Sequence, residues 1–67
     1  MVVQSVLFNK HLWTQDQARK YLARHNYKDN GVDETTNMFR YRQIEPPKDS
    51  RYYIKTLKHG VELVIHY

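Results

Sequence analysis

The residues able to do chemistry are few, and their spacing is poor. Four histidines stand at positions 11, 25, 59 and 66 with no metal-ligand pattern, no His-Glu-x-x-His helix and no cysteine to complete a thiolate zinc site. His25 reads more simply as part of an apolar helical stripe and His59 as a turn residue. Ser5 and Ser50 lie in no Gly-x-Ser-x-Gly elbow, and no His/Asp pair is placed to activate either hydroxyl. Asp29-Asn30-Gly31-Val32-Asp33 begins like a calcium loop, but its glycine comes too early and Arg40 stands where the bidentate glutamate belongs, so the segment reads as a solvated turn. Gly31 and Gly60 are too far apart for a phosphate-cradling loop. The expectation is a chain with no catalysis of its own, no metal, no cofactor and no small-molecule substrate.

What remains is a basic and aromatic set, Arg40, Arg42, Arg51, Tyr53 and Lys55. Gathered on one surface, these side chains suit two kinds of contact. Arg and Tyr are the residues most enriched at protein–protein hot spots. An aromatic ring flanked by cations can also stack on an unpaired base while the cations hold phosphates. Whether they meet depends on the elements that carry them.

A chain of 67 residues forms one small domain, residues 1–67, because at this size only about 60% of the unfolded surface is buried and one core is all it can build. Sixteen residues are Leu, Ile, Val or Phe, about a quarter of the chain, which sets it above disordered compositions. With no cysteine, packing alone must stabilise the fold, and a reducing, intracellular setting is expected. No run approaches a membrane span, and Met1 to Phe8 lacks the basic start and long apolar stretch of a signal peptide. The net charge of +4 favours anionic partners.

Residues Val2 to Phe8 are β-branched and aromatic and suit a strand, although Gln4 and Ser5 leave its inward face ambiguous. Thr14-Gln15-Asp16-Gln17 is a capping box that predicts a helix over Thr14–His25, with Trp13 as a staple on Ala18. Ala18, Tyr21, Leu22 and His25 form its buried stripe, and Asn26 can close it in the left-handed conformation with Tyr27 folding back. Lys28 to Thr36 is polar, with a turn at Asn30-Gly31. Three further strands follow, at Met38–Ile44, Arg51–Leu57 and Val61–Tyr67, with a Pro46-Pro47 loop after the first and a Lys58-His59-Gly60 turn after the second. The fold class expected is α+β, order β-α-β-β-β, a mainly antiparallel four-stranded sheet with the helix on one face.

Alternation then assigns faces. Phe39, Tyr41, Tyr52, Ile54, Leu63 and Ile65 are expected to face the helix, and Phe39, Tyr41, Ile54, Leu63 and Ile65 to form the core with Trp13, Tyr21 and Leu22. The same parity places Arg40, Arg42, Arg51, Tyr53 and Lys55 together on the open face, opposed only by Glu62. The leading expectation is a protein–protein interaction or assembly module acting through that face. The alternative is binding of single-stranded DNA or RNA by the same residues. A further docking mode is strand addition at an open edge.

Val3-Gln4-Ser5-Val6-Leu7-Phe8, Trp13-Thr14 leading a helix to His25-Asn26-Tyr27, Asp33-Glu34-Thr35-Thr36-Asn37, Phe39-Arg40-Tyr41-Arg42-Gln43 and Leu57 to Ile65 together form a pattern spanning most of the chain. It resembles a small domain of bacteriophages and large DNA viruses, which in phages stands alone or is attached to prohead proteases, the serine proteases of capsid maturation. The family pattern has Gly at the position of Asn26, a replacement that a left-handed cap tolerates. The resemblance implies a viral origin, a place in the host-cell cytoplasm or the virion, and a viral or host protein as partner. It implies no chemistry, since the protease activity belongs to the attached domain.

Overall fold

The computed structural model describes residues 2–29, 31–45 and 51–66. Asn30 of the expected turn, the Pro46-Pro47 loop through Ser50, and Tyr67 of the last expected strand lie outside them.

The capping box forms as its sequence requires. The Gln17 N–H donates to Thr14 Oγ1 at 3.2 Å and the Thr14 N–H to Gln17 Oε1 at 3.1 Å, starting helix α1, Gln15–Arg24. Asn26 sits at φ 61°, so its N–H reaches the Ala23 carbonyl and the Tyr27 N–H the Leu22 carbonyl, the paired bonds of a Schellman stop. Tyr27 folds back against the core. The Gln43 side-chain amide then ties the exit of the helix to the sheet, accepting from the Lys28 N–H at 2.6 Å and donating to the Lys28 carbonyl at 2.9 Å.

Five strands make the sheet: β1 (Val2–Asn9), β2 (Asp33–Glu34), β3 (Met38–Arg42), β4 (Tyr52–Thr56) and β5 (Val61–His66), in the order β2-β3-β1-β5-β4 with every pairing antiparallel. The fold is α+β, as the pattern predicts, with one strand more than expected. The addition is β2, two acidic residues with no strand-like composition. A tight turn recruits it, in which the Thr35 N–H donates to the Met38 carbonyl and the Met38 N–H to Thr35 Oγ1.

The face of β1 is decided by a bulge. Val3 pairs with Ile65 and Ser5 with Val64, so the inserted Gln4 turns residues two apart to opposite sides. Val6 and Phe8 consequently lie beneath α1 with Tyr41, Val61, Leu63 and Ile65, and Ala18 and Leu22 press on them from the helix. Phe8 is the centre of this core: the rings of Trp13, Tyr21 and Tyr41 meet it edge-on at 5.0, 5.4 and 5.6 Å. Trp13, Tyr21 and Phe39 are part-buried at the margin of the core.

Ile54 is the exception to the expected core. It is 52% exposed, and Tyr52 beside it 62%. The reason lies in the turn that follows. Thr56 pairs with Glu62 across five residues, an odd number, so Lys55 falls opposite Leu63 and Tyr53 opposite Ile65. The turn, a 3₁₀ segment at Lys58–Gly60, holds His59 at φ 62° and Gly60 at φ 76°. A Cβ on Gly60 would stand 2.8 Å from Leu12 Cδ1 and 2.9 Å from Asn9 Cβ, so both its backbone angle and its surroundings require glycine.

Two outcomes follow from this packing. Leu22→Ala should destabilise the fold by about 2–5 kcal/mol, whereas Ile54→Ala should change it by no more than about 1 kcal/mol; equal losses in chemical denaturation would contradict the register of β4. The second concerns alkali. Burial is the main cause that pushes the Tyr41 phenol above its ordinary range, the Asp29 carboxylate adds to it, and Arg19 opposes it. The unfolded phenol ionises first, near pH 10, so the stability due to this group is complete below about 10 and is lost as pH rises toward the folded value. Tyr41→Phe should therefore flatten the decline in unfolding free energy above about pH 10, measured against wild type over a pH series.

Candidate functional site

Register across the five strands arranges the open face in rows. One row runs Asp33, Arg40, Leu7, Glu62, Thr56, the next Arg42, Ser5, Val64, Ile54, and the last Val2, His66, Tyr52. The face is thus divided. Its β2–β3 corner is polar, and its β1–β5–β4 side carries Val2, Val64, Ile54 and Tyr52.

The corner is built around Asp33. Its Oδ2 accepts from Arg40 Nη2 at 3.2 Å, and Arg42 Nη2 stands 3.9 Å away. Arg40 Nε is buried without a hydrogen-bond partner, so this guanidinium is drawn down against the sheet. Next to the corner lies a recess of about 350 Å³ bordered by Val32, Asp33, Arg42, Gln43 and Glu45. Glu62, one row position beyond Leu7, brings the face to two carboxylates for two guanidiniums among the described residues.

Of the five residues expected on this face, Arg40 and Arg42 are there, opposite Leu7 and Ser5. Tyr53 and Lys55 are not: pairing with Ile65 and Leu63 turns them to the helix side. The expected cluster of all five is thereby corrected, and the cause is the same odd-numbered turn that exposes Ile54. Arg51 precedes β4, is exposed, and has no partner in the ladder. In place of Tyr53 the open face gains Tyr52 and Ile54, which alternation alone assigns to the helix side. The signal that could have found them is weak, because β4 carries an aromatic or apolar residue on both faces.

Exposure marks the apolar side as unusual for a small domain. Val2 at 46%, Ile54 at 52% and Tyr52 at 62% are three of the five large apolar side chains left exposed among the described residues, and all three share this face. They project from β4, from β1, and around the partly buried Val64 of β5. Such a surface can exclude water against a complementary one. No group of three or more His, Asp or Glu side chains converges among the described residues. No family model matches the chain, and neither the curated proteins nor the solved structures provide a match.

The Asp33 clamp is exposed, so its worth to folding is small. Asp33→Asn should change stability by less than about 1 kcal/mol. It should nonetheless release two guanidiniums, and the variant should elute from a heparin column at higher salt than wild type; unchanged elution would show that Asp33 does not mask them.

Proposed function

We propose that the protein is a non-enzymatic binding module, acting in assembly, whose open sheet face docks a protein partner. The observation that carries this reading is the collection of Val2, Ile54 and Tyr52 on one face around Val64, with Arg40 and Arg42 at its margin. Tyr52 supplies a large rigid contact with few torsions to order, and Ile54 the adjacent apolar area, a combination typical of an interface centre ringed by polar groups. The balanced charge of the face fits the same reading. Two guanidiniums facing two carboxylates give little net attraction for phosphate, so on this surface a protein suits better than nucleic acid. The viral or phage setting, with a viral or host protein as the partner, rests on the sequence resemblance alone.

The test is affinity capture from the cells in which the protein is made, with tagged wild type, Tyr52→Ala/Ile54→Ala and Arg40→Ala/Arg42→Ala, each with and without nuclease and at two salt concentrations. Loss of two central apolar anchors should cost about 2 kcal/mol or more, so the first double variant should lose the captured protein by at least roughly thirtyfold, while nuclease and salt leave wild-type capture intact. The arginine pair should reduce capture less. Release of the partner by nuclease, or full capture by Tyr52→Ala/Ile54→Ala, would overturn the proposal.

A further inference from the structure

The two edges of the sheet differ. β2 closes one side with two residues, both acidic, and Asp33 and Glu34 are held by Arg40 and Lys10. A short, charged edge of this kind gives another strand little to pair with. β4 closes the other side with five residues, Tyr52-Tyr53-Ile54-Lys55-Thr56, which pair with β5 without a bulge and include no proline and a single charge. All five are exposed, so the helix does not roof them.

The hairpin decides which backbone groups this edge offers. The Leu57 N–H donates to the Val61 carbonyl at 2.7 Å. Hydrogen-bonding and non-bonding pairs alternate along an antiparallel ladder, so Lys55 and Tyr53, opposite Leu63 and Ile65, also turn their backbone groups to β5. Tyr52, Ile54 and Thr56 turn theirs outward, away from the sheet. Three N–H donors and three carbonyl acceptors thus stand at alternate positions along the edge, centred on Ile54.

We propose that this edge pairs with the same edge of a second copy of the chain, antiparallel about a two-fold axis at Ile54, joining two five-stranded sheets into one of ten strands. The outward groups set the register. Ile54 faces Ile54 of the second copy and each Tyr52 faces a Thr56, two hydrogen bonds for each of three pairs, six in all. Charge selects the same register. A two-fold at Lys55 would set the two ammonium groups directly opposite, and one at Tyr53 would set Lys55 against Arg51 of the other copy. At Ile54 each Lys55 stands across from Tyr53, and no like charges meet. The axis runs perpendicular to the sheet, so both helices stay on one side, and the open faces continue across the seam with Ile54 beside Ile54. Every outward donor then meets an outward acceptor, a complement that the chain itself supplies.

The test uses the purified chain, so its result is independent of any captured partner. Sedimentation velocity from about 1 μM to about 1 mM, at about 0.15 M salt to screen the repulsion between two chains of net charge +4, should show the mass rise from the 8.2 kDa of one chain to twice that value. Amide exchange followed by NMR should slow at Tyr52, Ile54 and Thr56 as the concentration rises, and change little at Tyr53 and Lys55, which are already bonded to β5. Ile54→Lys and Ile54→Glu each set like charges across the axis and should each weaken association by roughly tenfold or more, and their equimolar mixture should recover it. Val2→Lys, on the open face but separated from β4 by β5, should associate like wild type, which distinguishes edge pairing from contact between two open faces. Circular dichroism melts confirm that each variant is folded. A wild type that stays monomeric over the whole range, charge variants that associate as it does, a mixture that does not recover, loss of association in Val2→Lys, or unchanged exchange at the three outward amides would overturn the proposal.

Discussion

An α-helix is about 10 Å across and neighbouring strands lie about 4.8 Å apart, so one helix shields little more than two or three strands. This chain has one helix and five strands. α1 settles over β3, β1 and β5, where every fully buried side chain of the sheet is found, and β4 is left with all five residues exposed. Both exposed regions of the sheet descend from that mismatch. The open face exists because no second helix covers it, and β4 stays exposed because the one helix stops short of the edge.

Phe8 makes the arrangement possible in so small a molecule. Three rings converge on it, and one of them, Trp13, is also bonded to the β4–β5 turn through its indole N–H. One aromatic cluster thus joins the entry to the helix, the central strand and the last hairpin. Lys10 extends the same economy at the margin, pairing with Glu34 while standing 5.3 Å from the centre of the Phe39 ring. Without disulfides, contacts that tie several elements at once replace the larger core that a longer chain would have.

Much of this was legible in the residues. The capping box, the Asn26 stop and the apolar stripe of Ala18 and Leu22 are local devices, each decided within a few positions, and the helix lies where they put it. Phe39 and Tyr41 alternate with Arg40 and Arg42, Leu63 and Ile65 with Glu62, Val64 and His66, and all four face inward as the period of two demands. What failed to be legible was non-local. The bulge at Gln4, the recruitment of Asp33 and Glu34 into the sheet, and above all the parity of β4 depend on pairing partners and turn length. In Tyr52-Tyr53-Ile54, where either face could pass for apolar, the turn at Lys58–Gly60 made the choice, and the candidate site was divided between two surfaces as a result.

The central position of β1 also has a temporal consequence. Its hydrogen bonds run to β3 on one side and to β5 on the other, with Val2 opposite His66 at the far end of the described chain. During synthesis β1, made before the other four strands, must wait for β5 before its second edge is closed, while α1 and the β4–β5 hairpin can form from neighbouring residues alone. High contact order of this kind slows folding relative to a helical bundle of equal length. The nascent chain therefore spends its early life with one edge of β1, along Val6 and Phe8, still open, a window in which a chaperone has most to protect.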